Sequence, residues 1–84
     1  MIFKMYSIKD KLNGYTTPIP MVDDKVGMRY FKDQIIGNPT MKNTPEDFEF
    51  YHMGTFDTES GTFMAPAKDG KPELVAKGVD YAES

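Results

Sequence analysis

The sequence contains no cysteine and a single histidine, His52. Without thiols there is no disulfide, no thiolate metal site and no cysteine nucleophile, a composition that fits a reducing compartment. A lone histidine does not supply the several convergent ligands that a metal needs, so no metal or other cofactor is expected. No apolar run approaches the roughly 20 residues of a membrane span, and the opening MIFKMYSIKD lacks the apolar segment of a signal peptide. The expectation is a soluble, unexported protein with no membrane partner.

Other catalytic and binding signatures are also missing. No glycine-rich phosphate cradle occurs. Asp57, Thr58, Glu59, Ser60 and Gly61 offer oxygen ligands, but too few and without the 12-residue calcium-loop pattern. Glu46, Asp47 and Glu49 read as charges at the start of a helical turn and on a solvated strand. Enzyme activity is not expected.

What is present amounts to one small domain of 84 residues. A core of this size supplies only about 3–5 kcal/mol, so assembly into a homodimer or higher oligomer is an expected source of further stability. The net charge of −3 hides an asymmetry. Residues 1–44 carry seven Lys/Arg against four Asp, and residues 45–84 carry three Lys against nine acids. A basic first half permits a nucleic-acid face, although the same charges also read as ordinary solvated groups.

The clearest local structure lies in PEDFEFYHMGTFDTESGTFM, residues 45–64. Thr44 is placed to cap a turn opened by Pro45, with Asp47 three residues on from the cap. A strand follows over Phe48–Phe56, rich in aromatic residues. Asp57–Gly61 reads as the hairpin loop, Gly61 taking a left-handed conformation. Thr62–Ala65 is the return strand, ended by Pro66.

Earlier in the chain, residues 2–9 predict a first strand. Ile2, Lys4, Tyr6 and Ile8 share one face, and Phe3, Met5 and Ser7 share the other; neither is clean enough to choose which meets the core. Residues 10–22 read as a long loop, with Asn13 and Gly14 at a turn and Pro18 and Pro20 opposing helix. Residues 23–36 predict a helix capped by Asp23 or Asp24, with Gly27, Met28, Phe31 and Ile35 on the buried stripe. Gly27 there implies close approach of helix and sheet. Residues 38–44 read as a connector. From about residue 66 the chain reads as a loosely attached tail, in which Leu74, Val75 and Val79 form a short edge strand or docking arm, and the last residues from about Gly78 are loose.

These elements predict a small α+β domain: a three-stranded antiparallel sheet with one α-helix packed on one face, with the first strand at about 2–9, the helix at about 23–36 and the hairpin at about 48–65. Two strand orders remain open. The first strand lies beside Phe48–Phe56 in parallel, or the return strand lies between them with all neighbours antiparallel; the second is preferred.

A single helix covers one face of such a sheet, which leaves aromatic side chains on the other. With nearby cations these form a stacking platform for single-stranded nucleic acid, worth about 1–3 kcal/mol per base. The stacking candidates are Tyr6, Tyr15 and Tyr51. Lys4, Lys9, Lys11 and Arg29 are candidates to neutralise phosphates. An exposed aromatic face serves equally as a dimer interface.

The chain resembles the small non-structural protein of gokushovirus-type microviruses, bacteriophages with small circular single-stranded DNA genomes. The resemblance rests on MIFKMYSIKD at the start, on MRYF (Met28 to Phe31) in the helix, and on TPEDFEFYHMGTFDTESG, with PEDF beginning at Pro45 and GTFD running from Gly54 to Asp57. It is collinear over most of residues 1–65. What it implies is a DNA-binding phage protein connected with single-stranded genome synthesis or packaging, acting in the cytoplasm of the infected bacterium. The alternative expectation is an assembly adaptor that binds itself, or a viral or host replication protein, through its aromatic face.

Overall fold

The computed structural model describes residues 1–82. In chain order its elements are β1 (Ile2–Asp10), β2 (Gly14–Tyr15), β3 (Ile19–Met21), α1 (Asp24–Gly37), α2 (Pro39–Asn43), β4 (Phe48–Asp57), β5 (Phe63–Met64) and β6 (Glu73–Lys77). Turns of 3-10 helix occupy Pro45–Asp47 and Gly78–Tyr81.

The sheet has six strands rather than the three expected, and a second, five-residue helix follows the first. All pairings are antiparallel. β1 and β4 lie side by side from Ile2 opposite Asp57 to Asp10 opposite Phe48. Both expected strand orders are therefore overturned: β1 is not parallel to β4, and β5 does not lie between them. Direct pairing of the two longest strands satisfies the most backbone donors and acceptors in one ladder. On its other edge β1 pairs with β2 and β3, and β4 pairs on its other edge with β5 and β6. The segment expected as a long loop thus folds back as two strands. Strands of two or three residues are too short to show any alternation. Pro20 is tolerated because, among the described residues, β3 has no partner beyond it that needs its missing N–H.

Two bulges interrupt the registers. Met5 faces Gly54 while Tyr6 faces His52, so Met53 has no partner. Phe50 faces Ala76 while Tyr51 faces Leu74, so Val75 has none. Each extra residue shifts the side chains beyond it to the other face.

α1 covers one face of the sheet. The Asp23 carboxylate accepts a hydrogen bond from the Val26 N–H at 2.9 Å, capping the helix. Gly27, Phe31 and Ile35 are its buried residues. Tyr6, Ile8, Phe48 and Phe50 from the sheet complete the core with Met21, Met41 and Ala76. Phe50 is stacked on Tyr6 at 5.1 Å and on Phe31 at 5.1 Å, with interplanar angles of 4° and 15°. Gly27 supplies the expected close approach: a Cβ there would lie 3.0 Å from the Phe50 ring.

The connector at 38–44 is replaced by α2, capped by the Asn38 side chain, which accepts from the Thr40 and Met41 N–H groups. Thr44 does not cap the next turn; its hydroxyl donates to the Thr40 carbonyl at 2.9 Å. The hairpin loop keeps Gly61 left-handed, at φ 74°, but the return strand is only Phe63–Met64.

The tail is also corrected. β6 pairs with β4, Gly78 is buried, and Tyr81 packs edge-on against Phe31 at 6.0 Å. A Cβ on Gly78 would collide with the carbonyl oxygens of Pro45 and Phe48, so glycine lets the chain pass close beside them. Glu83 and Ser84, the end of the tail expected to be loose, lie outside the described residues.

Candidate functional site

The face of the sheet turned away from α1 is built by alternate residues of β1: Phe3, Met5, Ser7 and Lys9. Directly opposed residues of antiparallel strands point to the same face, so the registers identify the rest. One row crosses four strands as Tyr15, Lys9, Glu49 and Lys77. The next contains Ser7, Tyr51 and Leu74. A third, at the far end, contains Phe3, Phe56 and Phe63.

Lys9, Tyr15 and Tyr51 form a cluster. The two tyrosine rings meet edge to face at 5.5 Å and 71°. The Lys9 ammonium lies 5.5 Å from the Tyr15 ring centroid and 6.0 Å from that of Tyr51, within cation–π range. Among the described residues Lys9 makes no ion pair. The Tyr51 hydroxyl donates to Glu49 Oε1 at 3.1 Å. Burial and then this carboxylate raise the Tyr51 phenol above its ordinary pKa. Tyr15 is 44% exposed, and Tyr51 is half-buried beside it. Beneath the cluster the Ser7 hydroxyl donates to the Thr16 carbonyl at 2.7 Å, which ties the chain after β2 to the middle of β1.

The charge of this face differs from that of the molecule. Lys9 and Lys77 flank Glu49, leaving a positive excess in a chain whose net charge is −3. Lys11 is exposed just beyond the end of β1, its N–H donating to the Asp47 carbonyl at 2.9 Å. It lines a shallow cleft with Pro45, Glu46, Phe48, Glu49, Lys77 and Val79.

The seven residues selected from the sequence are therefore divided. Lys9, Tyr15 and Tyr51 converge, and Lys11 lies at the same end. Tyr6 does not belong with them: it is 1% exposed, stacked on Phe50, and its hydroxyl donates to Asp24. No base can stack on it, because even-numbered residues of β1 at this level face the helix. Lys4 shares that side and forms an ion pair with Asp24 at 3.7 Å. Arg29 is exposed on α1, which covers the opposite side of the sheet. The sequence reading missed Lys77, hidden in the presumed tail, and did not recognise Phe3 or Leu74 as members of the open face. For Phe3 the signal was the alternation of β1; for Leu74 and Lys77 it was absent.

A second concavity, of about 370 Å³, lies between α1 and the β4–β6 edge, lined by Asp24, Met28, His52, Glu73, Leu74 and Val75. His52 Nδ1 is 3.2 Å from Glu73 Oε1, and the buried Nε2 has no hydrogen-bond partner among the described residues. Among the described residues no three His, Asp or Glu side chains converge as metal ligands. No helix of the described residues is long and apolar enough to cross a membrane.

Comparison with known proteins adds the lineage. The family model of phage ORF5 proteins matches residues 3–81. Protein ORF5 of Chlamydia phage 1, a gokushovirus, is 25% identical over 85 aligned positions, covering 98% of this chain and 88% of that protein. No solved structure matches. The chain belongs to the phage ORF5 protein family, and the resemblance to gokushovirus-type microvirus proteins holds.

Proposed function

We propose that this phage ORF5 family member is a non-enzymatic accessory protein that binds single-stranded DNA on the open sheet face, during genome synthesis or packaging in the infected cell. The observation that carries this reading is the cluster of Lys9, Tyr15 and Tyr51, two partly exposed aromatic rings with an unpaired ammonium against both. Such a surface offers π-faces to bases of any sequence and a cation to the backbone. Lys77 and Lys11 extend the positive charge along one end of the sheet. Asp24 and Asp33 lie on α1, on the covered side of the sheet; the acids at this end are Glu49, held by the Tyr51 hydroxyl between Lys9 and Lys77, and Glu46 at the rim of the cleft.

Fluorescence anisotropy of a labelled oligo-dT, titrated with the protein at several salt concentrations, tests the proposal. The expected result is saturable binding that weakens as salt rises, because each neutralised phosphate releases counterions. Lys9→Ala is expected to weaken binding and lower the salt slope by about one. Absence of binding at low salt, by protein shown to be folded, would sink the proposal.

A second reading, an adaptor that assembles through apolar contacts, is favoured by a different observation. Met1, Ile2, Val22, Phe63 and Met64, near one end of the sheet, are 52–66% exposed. Sedimentation velocity over a concentration series distinguishes it: assembly independent of DNA, and lost in Met64→Lys, is its expected mark.

A further inference from the structure

We infer that the open face carries a second base-stacking station, formed by Phe3, Phe56 and Phe63, and that one DNA strand reaches both it and the Tyr15–Tyr51 pair. This inference rests on the single-stranded DNA reading of the same face and gives it a direction and a minimum length.

The three phenylalanines occupy one row across three adjacent strands, Phe3 opposite Phe56 and Phe56 opposite Phe63. The Phe56 and Phe63 ring centroids are 6.5 Å apart at 45°. Phe63 is 52% exposed, and Phe3 and Phe56 are half-buried, so the group presents an apolar aromatic surface rather than a closed core.

The bulge in β4 is what brings this group to the face of Tyr51. Residues 51 and 56 differ by an odd number and would point to opposite faces of a regular strand. Met53 is the unopposed residue, and beyond it Phe56 joins Phe3 on the face that Tyr51 shares with Ser7. The bulge in β6 acts likewise. Residues 74 and 77 would be on opposite faces, but with Val75 unopposed both Leu74 and Lys77 point to the open one. Bulges that re-aim side chains are frequent beside functional sites.

Gly54 completes the arrangement. It faces Met5 between the two stations, with φ 142°, and a Cβ there would lie 2.9 Å from the Phe63 ring. The missing side chain lets that ring lie across β4 beside Phe56.

The two aromatic groups are separated by four to six residues along β1 (from Ser7 or Lys9 to Phe3), which is about 14–20 Å at the rise of an extended strand. A single strand spans that distance with about four to six nucleotides at stacked spacing. The Lys9–Glu49–Lys77 row then holds the backbone at one end only, because the Phe3 row carries no charge.

The test is anisotropy at low salt with labelled dT2, dT4, dT6 and dT10, using the full chain and the variants Tyr51→Ala, Phe63→Ala and Phe63→Leu. Phe63→Leu keeps apolar bulk and removes only the ring; circular dichroism establishes that each variant is folded. The expected result is that both Phe63 variants bind dT2 as the parent does but lose about 5- to 150-fold on dT10, the equivalent of one stacked base. Tyr51→Ala should weaken binding at every length. The inference is overturned if the Phe63 variants match the parent on dT10 while Tyr51→Ala loses affinity, an outcome that leaves the DNA reading standing. If the folded parent binds none of the oligonucleotides, both fail together.

Discussion

The Tyr6 hydroxyl donates a hydrogen bond to the Asp24 carboxylate, joining the middle of β1 to the first turn of α1. Tyr6 is thereby both a core ring, stacked on Phe50, and a polar tether of the helix to the sheet. Tyr6→Phe keeps the ring and removes the tether. It is expected to cost about 1.5–3 kcal/mol, the range for a hydrogen bond to a charged group, measured by urea denaturation.

Alkaline stability should report the same contact. Burial, followed by the Asp24 hydrogen bond, raises the Tyr6 phenol well above the ordinary tyrosine value, and Tyr51 is raised by burial and Glu49. A raised phenol favours folding while it stays protonated. The contribution is complete below pH about 10 and is lost as pH rises above that value. The folded fraction should fall at alkaline pH, and Tyr6→Phe should flatten that limb.

At the acid end the relevant group is Asp57. The Glu59 N–H, at 2.9 Å from its carboxylate, holds its pKa below the ordinary range. Its contribution is present above the ordinary carboxylate pKa and disappears as pH falls through the lowered value. Asp57→Asn should reduce the acid dependence of hairpin stability, followed by the chemical shifts of Gly61 and Thr62 through an acid titration.

Gly27→Ala gains helix propensity yet should destabilise. The added methyl meets the Phe50 ring at 3.0 Å, and that ring is stacked between Tyr6 and Phe31 with nowhere to move. Overpacking of about 1–3 kcal/mol outweighs a propensity gain of about 1 kcal/mol, giving a net loss of up to about 2 kcal/mol in chemical denaturation.

Gly54→Ala should be more severe. The backbone has φ 142°, and the new Cβ would collide with the Met64 carbonyl. The strained backbone alone costs about 1–3 kcal/mol. Loss of the β4–β5 pairing, read from amide exchange of residues 55, 56, 63 and 64, is the expected local sign.

The sequence by itself determined those elements whose signals are local. Asp23 before the Gly27–Phe31–Ile35 stripe marks a capped helix, and Asp57 to Gly61 marks a turn with one left-handed glycine. Lys9, Tyr15 and Tyr51 stand among the seven candidates that residue type selects, with no local signal to separate them from Lys4, Tyr6 and Arg29. Tertiary structure decided the rest. Strands as short as β2 and β5 exist only because β1 and β4 offer them an edge, so no period precedes their pairing. Whether Tyr6 is core or surface depends on which face α1 covers, and both faces of β1 carry apolar residues. The shared face of Tyr51 and Phe56, and of Leu74 and Lys77, depends on bulges at Met53 and Val75. A bulge is a property of two strands in register, and a one-dimensional alternation cannot contain it.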